Sequence, residues 1–372
     1  MILINILFVI EKLEPDVGMA YTYWSIAKKL AKSNKIFIIT SFSKGKKKHE
    51  IIDGIEIFRP LHYGDLYHPF KQIIFIIKLY FYLIRFLAKN DIDLIHSSAY
   101  TVTLPSTYAA SYYKIPVITS IRSFLGEKWF NMQKTNKAII YYITERLILK
   151  FSRYNLVHFP SKYTRDKLQR FINSKSVVIY NFIEKKQIME IKNKSNVWNI
   201  RKKIGIKSNE TFILFVGRFS PAKNIPNLIN VLGKTKVKFK LILVGYGDEL
   251  KKIKKSIENN NLENKCIIIG KKSHRETLQI MNSCDFLILP SMIEQFPKVV
   301  IEALAFNKPV IATKVGGIPE INSDNLYLVD NLEEINKILQ SDIKPKADNK
   351  ILEEYSLDKI ANEFEKIYKK LV

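Results

Sequence analysis

Asp285-Phe-Leu-Ile-Leu-Pro-Ser291, then Glu294-Gln-Phe-Pro-Lys-Val-Val-Ile-Glu302-Ala-Leu-Ala305, then Lys308-Pro-Val-Ile-Ala-Thr313 form the stretch whose reading decides the fold. The outer segments are short apolar runs of the kind that form strands buried on both faces. The middle segment is a helix between them, so the three make one unit of a parallel α/β sheet. Pro297 fits the first helical position, where its missing N–H costs nothing. The helix is expected to run to about Phe306, ahead of Asn307 and Pro309. A helix start exposes unpaired N–H groups and a partial positive charge, which makes Phe296, Pro297, Lys298 and Val299 a natural seat for phosphate. Glu302 lies about 7 to 8 Å further along the axis. A carboxylate at that distance could accept hydrogen bonds from two vicinal ribose hydroxyls. Glu294, in the loop before the helix, faces whatever the phosphate carries. That geometry suits a sugar nucleotide.

The same alternation extends outward in both directions. At 372 residues the chain is long enough for two domains. Candidate strands of a first series are residues 3–10, 35–40, 92–96, 116–121, 156–160 and 177–180. A second series follows the polar segment 185–209, with strands at 212–217, 240–245, 266–270, 286–290, 309–313 and 326–329. Two doubly wound units place ligands outside the carboxyl ends of their strands. The expected division is 1–190 and 191–355, with a last helix over 356–372.

Phe215-Val-Gly217-Arg218-Phe-Ser-Pro-Ala-Lys223 is a second strand-end motif. Gly217 allows close backbone approach. Arg218 and Lys223 would stabilise charge building on a diphosphate leaving group. Gly245 and Gly247 follow another strand. The third Gly of a dinucleotide fingerprint is missing, which argues against an oxidoreductase. Lys271 ends the next strand. Ser273-His-Arg-Glu276 reads as a helix capping box, with His274 structural.

Together these motifs resemble the retaining glycosyltransferases of family 4, which have the GT-B fold. The likeness covers most of the chain and is strongest between Thr211 and Glu320. It implies two Rossmann-like domains facing a cleft, with the last helix crossing back to the first domain. It implies that Arg218 and Lys223 contact the donor diphosphate, that Gly245 and Lys271 border the donor, and that Glu294 holds sugar hydroxyls. In the N-terminal half it brings Gly18 near the donor phosphates and acceptor binding to that domain. Where the family often has a His aimed at the reacting sugar, this chain has Arg122, which cannot act as a base at neutral pH but could hold the sugar or an anionic acceptor group. His96 and Asn181 also match family positions, with a strand-end structural role as the alternative.

The resemblance implies transfer of a hexose or N-acetylhexosamine to a glycan or lipid-linked acceptor. No metal or other cofactor is expected. A 2-epimerase of sugar nucleotides and a non-catalytic sugar-nucleotide-binding partner are the competing readings. The net charge of +25, spread as 29 basic and 14 acidic residues up to position 190 and 31 and 21 beyond it, attracts polyanions. It raises nucleic acid as a further possibility, but no recognised binding module is visible, and none is expected to bind. Two cysteines in apolar contexts suit inert thiols in a cytoplasmic protein. The apolar start reads as a strand rather than a signal peptide. Residues 69–90 are very apolar and carry Lys71, Lys78 and Arg85 at intervals of seven. They read either as an amphipathic helix in an anionic membrane interface or as a packed helix whose basic stripe faces water. Residues 138–152 give a weaker form of the same pattern.

Overall fold

Ile6-Leu-Phe-Val9 and Phe212-Ile-Leu-Phe-Val216 are typical of the strands: β-branched and aromatic residues with no polar alternation, suited to a parallel sheet covered on both faces. The computed structural model describes residues 3–13, 18–62, 69–98, 100–122, 124, 126–128, 135–194 and 196–372. Their contacts divide the chain into two units, Met1–Tyr180 with Leu357–Val372, and Asn181–Ser356. The sequence put the division after residue 190. It falls earlier because Asn181 donates to the carbonyl of Phe296 (2.5 Å) and Ile183 to that of Tyr355 (2.8 Å). The polar segment 185–209 contains helices Lys185–Lys194 and Val197–Ile204.

The N-terminal unit is built from β1 (Asn5–Val9), α1 (Gly18–Leu30), β2 (Lys35–Phe42), β3 (His49–Ile52), β4 (Ile55–His62), α2 (Pro69–Leu87), β5 (Leu94–Ser98), α3 (Thr103–Tyr113), β6 (Val117–Ser120), α4 (Thr135–Phe151), β7 (Leu156–Phe159) and β8 (Lys175–Val178). The sheet order is β3-β4-β2-β1-β5-β6-β7-β8, parallel except for the β3–β4 hairpin. That hairpin was not expected from the sequence. It turns at Asp53-Gly54, both at positive φ (52° and 77°), the dipeptide that two-residue hairpin turns favour. Alternate residues of each strand face opposite layers. Leu7, Val9 and Ile95 pack beneath α2 and α3. Phe8 and His96 face the other way, against Phe364 of the C-terminal helix, Leu357–Leu371, which also lies along α1.

That helix is tied to the sheet by a buried hydrogen-bond chain. His158 Nε2 lies 2.8 Å from the carbonyl of Ile179, so this nitrogen carries the proton. His158 Nδ1 must then accept from Ser120 (2.6 Å), Ser120 accepts from His96 Nε2 (2.6 Å), and His96 Nδ1 accepts from Tyr368 (2.5 Å). His96 thus takes the structural of its two readings. Burial and the neighbouring charge of Arg122 lower both imidazoles, His158 to about 3.

The C-terminal unit has a six-stranded, all-parallel sheet, β9 (Thr211–Val216), β10 (Phe239–Val244), β11 (Cys266–Gly270), β12 (Phe286–Leu289), β13 (Val310–Thr313) and β14 (Leu326–Val329). Its order is β11-β10-β9-β12-β13-β14. The winding reverses between β9 and β12, and in doubly wound sheets ligands bind where the strand order reverses. Cys266 and Cys284 are buried, and burial pushes both thiols up to about 12.

Candidate functional site

The loops that leave β9 and β12 meet at this reversal. After β9, Gly217 and Arg218 lead into a short 3-10 turn, Pro221–Lys223. After β12 come Ser291 and Glu294. The amide of Met292 donates to the carbonyl of Ala222 (2.8 Å), which fastens one loop to the other. Lys223 Nζ then forms an ion pair with Glu294 Oε1, the same oxygen that accepts from the Ser291 hydroxyl at 2.7 Å. Both charged side chains are largely covered, 21% and 10% exposed. The motifs assigned Lys223 to the diphosphate and Glu294 to the sugar; the structure brings the two side chains into contact.

Glycines shape this end of the sheet. A β-carbon on Gly316 (φ 62°) would stand 1.7 Å from the carbonyl oxygen of Glu294, so only glycine lets the loop after β13 seat the Glu294 backbone. Gly317 donates to the carbonyl of Gln295 (3.1 Å) and completes that brace. Gly245 (φ 148°) serves the loop itself: a β-carbon there would meet the Gly217 carbonyl at 1.8 Å. Its need for glycine comes from backbone packing and does not require a ligand. Gly217 leaves room for the stem of Lys223, whose Cε would lie 3.7 Å from an added β-carbon.

Arg218 is 61% exposed and points toward Asp248 (3.9 Å), itself almost fully exposed. Lys271, at the end of β11, lies with its ammonium 5.6 Å from the ring of Tyr246, which is 53% exposed. Tyr246 was not singled out from the sequence; an aromatic between two strand-end glycines was the available signal.

Two expectations at the helix start need correction. Pro297 is extended (φ −75°, ψ 120°) and forms the N-cap, and the helix is Lys298–Ala305. Its fixed φ suits either position; the carbonyl of Pro297 already accepts from Val300 (3.2 Å), which defines a cap. Phe296 is buried with its ring 5.6 Å from that of Tyr355, so it is a core side chain whose backbone alone borders the helix start. Lys298 lays its ammonium 4.2 Å over the ring of Phe182, and Val299 is partly buried beside it.

Glu302 stands one turn into the helix and is only 5% exposed. Its Oε1 pairs with His274 Nε2 at 2.9 Å. Burial raises such a carboxyl, but the hydrogen bond and charge of His274, with Lys298 nearby, outweigh it and hold Glu302 below the usual carboxylate value. His274 owes its position to the capping box formed by Ser273 and Glu276, which sets it as the first residue of helix His274–Ser283. The capping box was legible in the sequence; the contact from that helix to Glu302 was not.

Gly18 and Arg122 belong to the N-terminal unit. Gly18 opens α1, and residues 14–17 before it lie outside the described residues. Arg122 follows β6; burial draws its guanidinium down from the ordinary value, while Tyr23 nearby acts in the opposite sense.

Comparison with known proteins bears on the family and the fold. The model for "Glycosyl transferases group 1" matches residues 196–356, and that for "Glycosyltransferase Family 4" matches residues 18–187. An uncharacterized glycosyltransferase of Methanocaldococcus jannaschii is 28% identical over 78% of this chain and 72% of its own length. Two further relatives are matched over about half of their length, 52% and 48%. Among solved structures, a sucrose-phosphate synthase from Thermosynechococcus elongatus superposes with a TM-score of 0.80 at 20% identity, covering 99% of each chain. Anabaena HepE in complex with UDP-glucose gives 0.76 at 18% identity, covering 98% and 99%. At such identities the superpositions establish a shared GT-B fold.

Proposed function

The chain is a family 4 glycosyltransferase of the GT-B fold, and on that premise we propose that it moves a hexose or N-acetylhexosamine, with retention, from a nucleoside-diphosphate sugar to a hydroxyl of a glycan or lipid-linked acceptor at the cytoplasmic face of a membrane. The observation that carries the reading is the joining of Lys223 and Glu294 beside a helix start, at the reversal of the C-terminal sheet. The bound nucleotide sugar in the HepE structure supports the donor class.

In this reading the diphosphate sits against the start of helix Lys298–Ala305, with Arg218 and Lys223 taking up its charge. Glu302, steadied by His274, accepts from the ribose, which meets only its exposed edge. Glu294 accepts from a sugar hydroxyl. The bond from the anomeric carbon to the phosphate oxygen breaks, and one to the acceptor oxygen forms on the same face. The acceptor proton passes to the departing phosphate oxygen, so Arg122 need not act as a base. The cations and helix amides neutralise the leaving group, and no divalent ion or other cofactor is called for.

A melting-temperature screen of sugar nucleotides tests this directly, since a ligand that binds the folded state raises the transition. One donor should stabilise the protein and be turned over. Arg218→Ala should then cut turnover about a hundredfold, as removal of one charge-stabilising donor typically does, and Glu302→Ala should weaken donor binding. Donor binding without turnover, even with acceptors supplied, would favour a non-catalytic partner. Full activity in both variants would overturn the residue assignment.

A further inference from the structure

Three neighbouring helices of the N-terminal unit each expose apolar side chains. α2 buries Phe75, Leu79, Leu83 and Phe86 beneath it, yet Ile73, Ile74, Ile77 and Phe81 on its outer side are 46 to 56% exposed. At helical spacing, Lys71, Lys78 and Arg85 line one edge of that outer band. A packed helix with only a basic stripe in water would not show such a band. α4 repeats the pattern: Ile139, Ile140, Ile143, Leu147 and Phe151 are 39 to 54% exposed. α3 lies against both helices and adds Tyr108 and Tyr112. A groove of about 340 Å³ runs between α2 and α3, lined by Ile76, Ile77, Tyr80, Phe81, Leu104 and Tyr108. Apolar surface this extensive is uncommon on a protein that meets only water.

The charges beside it have one sign. Within α2, α3 and α4 the one acidic residue is Glu145, which is buried and accepts from the Gly126 amide at 3.0 Å. Lys71, Lys78, Arg85 and Lys150 flank the apolar bands, and Arg153 stacks 4.6 Å over the ring of Tyr108. Apolar side chains bordered by cations match the boundary between acyl chains and anionic headgroups.

We propose that α2, α3 and α4 form a docking face for an anionic lipid leaflet, with Ile77 and Phe81 entering the acyl region and the α2–α3 groove accepting an acyl chain. The proposal specifies the surface for the membrane-face reading above and rests on it. The helices lie on the leaflet; among the described residues no helix is long and apolar enough to cross a membrane.

The test is sedimentation of the full chain with phosphatidylcholine vesicles, with and without phosphatidylglycerol. Binding is expected only to the anionic vesicles. Lys71→Gln, Lys78→Gln and Arg85→Gln together should weaken partitioning roughly a hundredfold, from the usual contribution of each cation near a charged surface. Ile77→Ser with Phe81→Ser should weaken it with every cation retained. Circular dichroism confirms that the variants are folded. A wild-type chain that ignores anionic vesicles, or variants that sediment as the wild type does, overturns the proposal. So does a concentration-dependent dimer lost in the Ile77→Ser/Phe81→Ser variant, which would make a second copy the occupant. Donor turnover without vesicles separates the two readings: turnover without vesicle binding removes docking alone, and vesicle binding without any sugar-nucleotide affinity removes the transfer reading alone.

Discussion

Acidification should destabilise the N-terminal unit through His158 and His96, by an amount that follows from their burial. Each imidazole is neutral, fully buried and committed within the chain from Tyr368 to the Ile179 carbonyl. His158 is depressed to about 3 and His96 lies well below its ordinary value. The charged group facing both is Arg122; Tyr368 donates to His96, and the ring of Tyr23 packs on it. A histidine with a lowered folded value binds its proton in the unfolded chain first. Stability is therefore complete above pH 6.5 and falls as the pH drops below it, levelling off only near the folded value. Between pH 7.5 and 5.5 each histidine should cost about 1.4 kcal/mol, roughly 3 kcal/mol for the pair. Carboxylates with ordinary values near 4 contribute little in that window.

Urea unfolding at the two pH values measures the difference. A Trp198→Phe background leaves tryptophan signals from the N-terminal unit alone. His158→Gln in that background should be less stable at pH 7.5, because the chain is interrupted. Its loss on acidification should nevertheless be smaller by about 1.4 kcal/mol, since one titrating group is gone. Equal losses in the two proteins would mean that His158 is not held neutral in the folded state, and the proton order assigned to the chain would fall with it.

His274→Ala should raise the pH at which donor binding fails on the acid side, because burial would then lift Glu302 with only the charge of Lys298 against it; binding titrations across pH 4 to 7 read the shift, and His274→Gln should restore part of it. Gly316→Ala should cost about 2 to 4 kcal/mol and most of the activity, since the backbone is at positive φ and the added carbon collides with the Glu294 carbonyl. Gly270→Ala, also at positive φ (73°) but in open space, should cost only about 1 kcal/mol, with urea unfolding as the measurement for both variants.

The six strands of the C-terminal sheet were readable because each is a dense apolar run bounded by polar or glycine-containing loops. The β3–β4 hairpin escaped because β3 is only four residues long and largely exposed, so it carries no buried apolar run of the kind that marks the other strands. The helix start was misplaced by one residue, since proline satisfies both the N-cap and the first helical position, and only the carbonyl's acceptance of Val300 separates them. Phe296 was placed at the site by its neighbours in sequence, but a bulky aromatic beside a strand reversal found more burial against Tyr355. His274 was judged by its own capping box, and its partner Glu302 lies 28 positions away, beyond any local pattern.

The Lys223–Glu294 pair joins the two strand-end motifs of the C-terminal sheet. Either charge alone, as covered as these are, would be costly in an empty site, and pairing them removes most of that cost. On the proposed reading, an ammonium with three donors would let Lys223 turn one of them to an arriving phosphate while keeping part of its contact with the carboxylate. Partial release of Glu294 would then free acceptor capacity for a sugar hydroxyl at the moment the phosphate is gripped. The loop contact from Met292 to Ala222 and the glycine brace at Gly316 hold the two backbones in register, so the exchange requires side-chain rotation and little else. Recognition of the diphosphate and of the sugar would in this way be coupled through a single ion pair, fixed by the adjacency of β9 and β12 at the point where the sheet reverses.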